Sequence, residues 1–365
     1  MSRVARRGFR RPEGMAAGGL EDGLSTMVAN FTRGAGAAWV SGWNRGVAEP
    51  IAKLKRKSAE AGLPGFGGRS LVPPGATPIR FPERFKAPLA TPGLGPSLGR
   101  IGTLEVRLAV KKSEVRRAQR LRYGVFYEEM SAIPTGMAAF SRRDADEYDA
   151  LCDHLLVIDH AAIEAKPFRK ARPKVVGTYR LLRGEVAERH FGFYSAGEYD
   201  LAPVLAAQAG KRILELGRSC VLKPYRTKRT VELLWAGIYA YLQHHRIDAL
   251  IGCASLEGTD PERLALPLSF LHHHARAPEG WCARALPGRH VPMDRLARDA
   301  VDMKAALQAL PPLIKGYLRV GATFGDGAVV DHQFGTTDVF VVLPVEAIAS
   351  RYLGHFGPAA NRHAA

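Results

Sequence analysis

Beyond about residue 100 the chain switches between two hydrophobic periods. Leu104-Glu-Val-Arg-Leu-Ala109 alternates apolar and polar positions like a strand. Ser113 to Met130 opens with a Ser cap and an early Glu114, then spaces Val115, Ala118, Leu121 and Val125 at helical intervals. His154 to His160, Val175 to Leu182 and Ile213 to Leu222 read as strands, with Gly184 as punctuation after the second. Thr230 to His245 sets Leu233, Leu234, Gly237, Ile238, Tyr241 and Leu242 on one helical face, and Ala249 to Ala254 follows as a strand. A helix from about Arg295 to Leu310 and a strand pair around Ala328 to Val330 and Thr337 to Leu343 complete the pattern. Strands and helices in this order predict an α/β (α+β) fold with one sheet flanked by helices, and no internal repeat is present.

The first hundred residues read differently. Twenty-seven of them are Gly or Pro, a density typical of segments that fail to build a core. They carry 16 basic and 6 acidic side chains, so +10 of the chain's +17 lies in this quarter, beginning with Arg3, Arg6, Arg7, Arg10 and Arg11. Residues 1–100 are therefore expected to be a disordered basic arm and a Pro-stiffened linker, with the folded domain at 101–355. Within the arm, Met27, Phe31, Trp39, Val40 and Trp43 run weakly helical into Lys53, Lys55, Arg56 and Lys57, which suits an interfacial helix on anionic lipid; a plain disordered tail accounts for the same residues. No apolar run reaches the roughly 18 residues a membrane span needs, and Gly14 to Gly23 supplies no secretory core. Four scattered cysteines, Cys152, Cys220, Cys253 and Cys282, form no Cys-x-x-Cys pair and suit reduced thiols in a cytoplasm.

The net positive charge calls for an anionic partner, and one segment gives that a location. In Leu214-Glu-Leu-Gly-Arg-Ser-Cys-Val-Leu-Lys-Pro-Tyr-Arg-Thr-Lys-Arg-Thr230, a strand leads through a cationic turn into a helix N-terminus. Unpaired amides and the helix dipole there would reinforce Lys223, Arg226, Lys228 and Arg229. The same four cations also read as a solvated loop. Neither G-x-x-x-x-G-K-[ST] nor G-x-G-x-x-G is present, which disfavours nucleoside triphosphate chemistry.

This segment resembles the acyl-donor turn of the GCN5-related N-acyltransferase fold, Arg/Gln-x-x-Gly-x-Gly/Ala. Arg226 holds the leading position, while Arg229 and Val231 replace the two small residues, a departure from the coenzyme A pattern. Arg122-Tyr-Gly-Val-Phe126 with Glu128-Glu129, Asp146-Glu-Tyr-Asp149, Val176-Gly-Thr-Tyr-Arg-Leu-Leu182 and Glu215-Leu-Gly-Arg218 are similar, in order and spacing, to the acyl-homoserine-lactone synthases. Those are shorter, and do not account for Leu268-Ser-Phe-Leu-His-His-His274, Pro311 to Ala322 or Phe334-Gly-Thr-Thr-Asp-Val-Phe340. These stretches resemble the L-ornithine N(α)-acyltransferases of bacterial ornithine-lipid synthesis, so that the resemblance spans roughly residues 104 to 350. It implies a GCN5-like mixed central sheet (core 101–260, C-terminal extension 261–355) and transfer of a 3-hydroxyacyl chain from acyl carrier protein to the α-amine of L-ornithine. No bound cofactor is implied, since the acyl carrier protein thioester is a co-substrate.

Such a reaction must deprotonate an α-ammonium, hold an amino acid and stabilise an oxyanion. Glu215, in mid-strand on the face of Ile213 and Gly217, is the candidate base if burial raises its pKa; an ion pair with Arg218 or another arginine is the competing reading. The resemblance implies a substrate site at Arg122, Phe126, Asp146, Asp149 and Arg180, with the two aspartates on the δ-ammonium and Arg122 or Arg180 on the carboxylate. Strand amides near Arg218 to Cys220 would serve the oxyanion, and Lys223, Arg226, Lys228 and Arg229 the donor phosphate and the acidic carrier protein. Cys220 has no His/Asp partner at identifiable spacing and is not expected to be a nucleophile. The run His272-His273-His274 has no acidic companions, so no metal is expected. Two other readings stay open: a lactone-type synthase acting on S-adenosylmethionine, and a nucleic-acid-binding protein. The charge favours the latter, but no zinc finger, RNP strand or helix-turn-helix supports it. The expected location is the cytoplasm, with peripheral attachment through the arm.

Overall fold

A computed structural model describes residues 93–166 and 169–348. The interfacial-helix expectation for residues 24–57, and nearly all of the basic arm, lie outside the described residues. Ten strands form one sheet: β1 (Gly99–Ile101), β2 (Leu104–Leu108), β3 (Asp153–Lys166), β4 (Arg169–Arg183), β5 (Tyr199–Asp200), β6 (Ile213–Val221), β7 (Ala249–Glu257), β8 (Arg284–Ala285), β9 (Thr323–Asp331) and β10 (Thr336–Pro344). Their order is β1-β2-β3-β4-β6-β7-β10-β9-β8-β5. The helices are α1 (Lys112–Tyr123), α2 (Gly136–Ser141), α3 (Gly184–Ala187), α4 (Ala202–Ala207), α5 (Lys228–His245), α6 (Ala265–His274), α7 (Met303–Ala309) and α8 (Pro312–Val320).

Period-two alternation explains why both faces of the sheet are covered. On β3, Leu155 and Val157 join the core beneath α5, while Leu156 and Ile158 join the core beneath α1. On β10, Val339, Val341 and Leu343 face the first of these cores, and Phe340 and Val342 pack with Tyr199 and Trp281 on the other side. The residues after 260 complete this sheet: β10 lies antiparallel to β7 over nine residue pairs, and Tyr317 of α8 hydrogen-bonds through its hydroxyl to that of Tyr179 at 3.0 Å. The mixed sheet flanked by helices is the fold class expected from the sequence. No helix among the described residues is long and apolar enough to cross a membrane.

Two elements differ from the sequence expectation. The first long helix begins at Lys112, because Glu114 reaches back to accept from the amides of Val110 (2.9 Å) and Lys111 (3.2 Å), which puts Lys111 at the cap. Beyond Tyr123 it loosens into a π-helical turn, Gly124–Glu129. The helix expected from Arg295 starts only at Met303, where the Asp302 carboxylate accepts from the amides of Lys304 and Ala305; before it stands a single 3-10 turn, Arg298–Ala300.

The feature that positions the site is the junction of β6 and β7. They pair in parallel only over Ile213 to Glu215 against Ala249 to Ile251, and then part. At the parting point Gly252 lies so close to β6 that a Cβ would sit 2.5 Å from the Leu216 carbonyl oxygen. On its other edge β6 carries an extra residue relative to β4: Thr178 faces Cys220 and Arg180 faces Gly217, so a bulge forms at Arg218 and Ser219.

Candidate active site

A cavity of about 260 Å³ opens where β6 and β7 part. Leu216 to Val221 form one wall, Cys253 to Ser255 another, and Phe126, Tyr194, Pro311 and Phe334 close it from the loops. Because this stretch of β6 has lost β7 and bulges away from β4 at Arg218 and Ser219, the β7-facing backbone from Arg218 to Cys220 is open to the cavity.

Glu215 lies at the cavity's inner end, 3% exposed. Its carboxylate accepts from the amides of Tyr194 and Ser195, both at 2.7 Å, and from the Ser195 hydroxyl. Burial dominates these bonds and pushes its pKa up. The competing ion pair with Arg218 is not formed, since that guanidinium is engaged elsewhere.

Arg218 belongs to a closed ring of six charges that reaches the cavity wall at Arg180 and Arg218. Arg122 bridges Asp144 (2.7 Å) and Asp149 (2.7 Å), Arg180 bridges Asp149 (3.5 Å) and Asp146 (2.6 Å), and Arg218 bridges Asp146 (3.6 Å) and Asp144 (3.2 Å). Each cation thus lies between two anions, which is what makes their burial tolerable. Burial alone would raise the pKa of Asp149, but the Arg122 charge and hydrogen bonds outweigh it and hold the carboxyl well below its usual range. Arg218 sits at φ 51°, a left-handed conformation that costs a non-glycine residue on the order of 1–3 kcal/mol. Its two aspartates, a bond to the Tyr194 hydroxyl (3.1 Å) and ring contacts with Tyr194 and Phe334 hold it there.

The ring corrects the expected substrate site. Arg122, Asp146 and Asp149 are brought together as expected, but they spend their charges on the ring and do not line the cavity. Arg122 is 0% exposed. Arg180, Arg218 and Phe126 do line it. In the cationic turn, Lys223, Lys228 and Arg229 are exposed at the start of α5. Arg226 departs from the expectation: it is buried in a two-pronged pair with Glu129 (2.5 and 2.8 Å) and donates from Nε to the Val221 carbonyl, pinning the turn to the end of the π-helical segment. Cys220 is buried, and burial pushes its thiol pKa up, away from a reactive thiolate. The rings of His272, His273 and His274 turn successively by 88° and 73°, and His273 is bonded to the Leu296 carbonyl.

Sequence reading missed the cavity's acidic side. Glu198, Asp331 and Asp338 bring one carboxylate oxygen each within 4.8 Å of the others, and all three residues line the cavity. Burial, and then the Asp338 charge, push the Glu198 pKa up to about 7, against the pull of Arg289 at 3.3 Å. Burial also raises that of Asp338. Residues 198 and 338 are far apart in the chain and share no spacing that would have paired them. Asp144, also missed, stands two residues before Asp146 in an Asp-rich run, where a third acid was visible.

Residues 121–236 match the family model described as an acetyltransferase (GNAT) domain, in keeping with the GCN5-like fold expected from the turn at Arg226. The chain is 51% identical over 280 residues to the L-ornithine N(alpha)-acyltransferase of Brucella abortus (strain 2308), covering 77% of this chain and 98% of the relative. It is 55% identical over 264 residues to the protein of that name from Agrobacterium fabrum (72% of this chain, 88% of the relative). With the one from Rhodobacter capsulatus the identity is 44% over 248 residues (68% and 92%).

Replacing Arg122 by Met is expected to leave Asp144 and Asp149 with one arginine each, Arg218 and Arg180, and the buried ring with a net negative charge, lowering stability at pH 7 by about 3–5 kcal/mol in chemical denaturation. Because the pKa of Asp149 is depressed on folding, its contribution is complete above its unfolded value and fades as pH falls. The deficit of Arg122→Met should therefore shrink below about pH 4.

Proposed function

Since this chain belongs to the L-ornithine N(alpha)-acyltransferase family, we propose that it transfers a 3-hydroxyacyl chain from acyl carrier protein to the α-amine of L-ornithine, giving lyso-ornithine lipid. One observation carries the reading: a single cavity joins a buried carboxylate of raised pKa, a stretch of strand backbone released from its ladder, and a cluster of acids suited to a second ammonium group.

In this scheme the thioester carbonyl lies along Arg218 to Cys220, whose amides stabilise the oxyanion. Glu215 takes a proton from the α-ammonium, the freed amine attacks the carbonyl carbon, the C–S bond breaks, and the proton shed by the newly acylated nitrogen passes to the departing thiolate to return the carrier's thiol. Arg180 and Arg218 face the acceptor's carboxylate. Because Asp146 and Asp149, unlike those two arginines, do not line the cavity, Glu198, Asp331 and Asp338 receive the δ-ammonium. Lys223, Lys228 and Arg229 form the face for acyl carrier protein, with Arg226 holding that face in place through Glu129. The identity over nearly the whole Brucella relative favours this reading over a lactone-type synthase or a nucleic-acid-binding role. As the product is an amphiphile, we assign the basic arm to peripheral attachment at the cytoplasmic face of an anionic membrane, where each Lys or Arg contributes about 1 kcal/mol.

Mass spectrometry of lipid extracts from a host lacking ornithine lipids, co-expressing this chain and its acyl carrier protein, is expected to reveal 3-hydroxyacyl-ornithine. With Glu215→Gln, turnover should fall by on the order of 10²–10⁴ while the fold is retained; near-native turnover would remove Glu215 from the role of base.

Glu198 gives the acceptor site a pH dependence. With its pKa near 7, ionisation as pH rises from about 6 to 8 adds negative charge where the δ-ammonium binds, so KM for ornithine should fall across that interval. Glu198→Gln is expected to raise KM roughly tenfold or more at pH 8 and to flatten the dependence. In stability the sign is opposite: the folded state holds a proton on Glu198 up to about pH 7, so its burial costs increasingly from about pH 4.5 to 7. Glu198→Gln should therefore be the more stable protein at pH 8, as thermal unfolding will report.

A further inference from the structure

A surface at the cavity mouth remains unused by the acyl-transfer scheme. On the exposed side of α1, Lys112, Arg116 and Arg120 follow one another at four-residue intervals, a row about 12 Å long at a rise of about 1.5 Å per residue. Next to it, α2 and the residues before it raise three large apolar side chains into solvent: Ile133 is 66% exposed, Met137 75% and Phe140 89%. The Arg142 guanidinium over the Tyr123 ring (5.8 Å) and the Arg143–Gln119 hydrogen bond join the end of α2 to α1. Toward the cavity, the Ile133 amide donates to the Gln333 carbonyl at 2.8 Å, beside Phe334, and Met130 and Phe334 both line the cavity.

We propose that this surface docks on an anionic lipid bilayer, with Ile133, Met137 and Phe140 entering the acyl boundary and the α1 cations meeting the headgroups, so that the cavity mouth opens onto the leaflet. The inference rests on the proposed function insofar as that supplies an amphiphilic product. Apolar tips beside a row of cations are complementary to a surface that is apolar inside and negative at its boundary. The tips protrude instead of forming a groove, which a fluid acyl phase accommodates without a matching concave partner. The row on α1 spreads its charge along the helix, as a diffuse anionic surface requires. The compact turn of Lys223, Lys228 and Arg229 is a separate feature, assigned above to the carrier protein.

The test is flotation of the full chain with vesicles of phosphatidylcholine alone and of phosphatidylcholine mixed with phosphatidylglycerol, whose negative surface potential attracts Lys and Arg. The variants are Ile133→Ser/Met137→Ser/Phe140→Ser and, separately, Lys112→Glu/Arg116→Glu, each checked for unchanged thermal unfolding. Turnover of soluble acyl carrier protein thioester with ornithine is measured alongside. The Ser variant is expected to lower partitioning onto anionic vesicles at least tenfold while soluble turnover stays within twofold. The charge variant should weaken binding to anionic vesicles, with the basic arm retaining part of it, and leave the weak binding to neutral ones unchanged. Equal flotation of wild type and the Ser variant overturns the proposal. So does unchanged flotation with a raised KM for the acyl carrier protein, which would make the surface a protein dock. A wild type that floats but yields no acyl-ornithine from soluble substrates contradicts the proposed function and leaves the docking result standing on its own.

Discussion

Three guanidinium groups and three carboxylates, alternating in a closed ring, set the conditions for the rest of the site. They come from four separated places in the chain: Arg122 at the end of α1, three aspartates in the loop before β3, Arg180 on β4 and Arg218 on the bulge of β6. None tolerates burial alone, so each fixes the position of its neighbours. The ring thereby ties α1 to the sheet, holds Arg218 in its left-handed conformation, and keeps the bulge that frees the backbone of β6. With β7 already diverging at Gly252, that freed stretch becomes the wall of a cavity.

The acids of the site divide accordingly. Asp149 is held ionised by cations that never leave it, so it serves architecture. Glu215 and Glu198 lie in places where burial outweighs their partners, and their pKa values move toward neutrality. Such displaced carboxylates are the ones able to exchange protons or to accept a cationic substrate near neutral pH. Two kinds of carboxylate, alike in the sequence, are thus told apart by whether the cations beside them outweigh burial, as at Asp149, or fall short of it, as at Glu198 beside Arg289.

Much of the fold was legible, for a plain reason: β3, β4, β6, β7 and α5 are buried, and burial imposes periods that a single chain displays. The ends of α1 and the late start of α7 were less so, because Glu114 and Asp302 decide them by single hydrogen bonds. Glu215 was legible as a mid-strand carboxylate, and the structure buries it against the cavity. The motif around Arg122, Asp146 and Asp149 was also found, but its chemistry differed from the expectation: residue types suited to gripping a zwitterion also suit gripping one another, and only geometry distinguishes the two. Asp331 and Asp338 meet through the pairing of β9 with β10, and the loop before β5 brings Glu198 to them, a long-range coincidence that no local pattern records.

The central claim is that one cavity orients a dibasic amino acid, presenting its α-amine beside Glu215 and its side-chain ammonium to Glu198, Asp331 and Asp338. The most direct measurement is a competition in which the purified full chain and 3-hydroxyacyl thioester of acyl carrier protein meet equal concentrations of L-ornithine and L-norvaline, its analogue without the δ-amine, with products resolved by mass spectrometry. Leaving buried acids without their cation should cost enough that ornithine is acylated, at its α-nitrogen, on the order of 10² times faster or more. Equal rates for the two amino acids, or acylation of ornithine at the δ-nitrogen, would contradict this account.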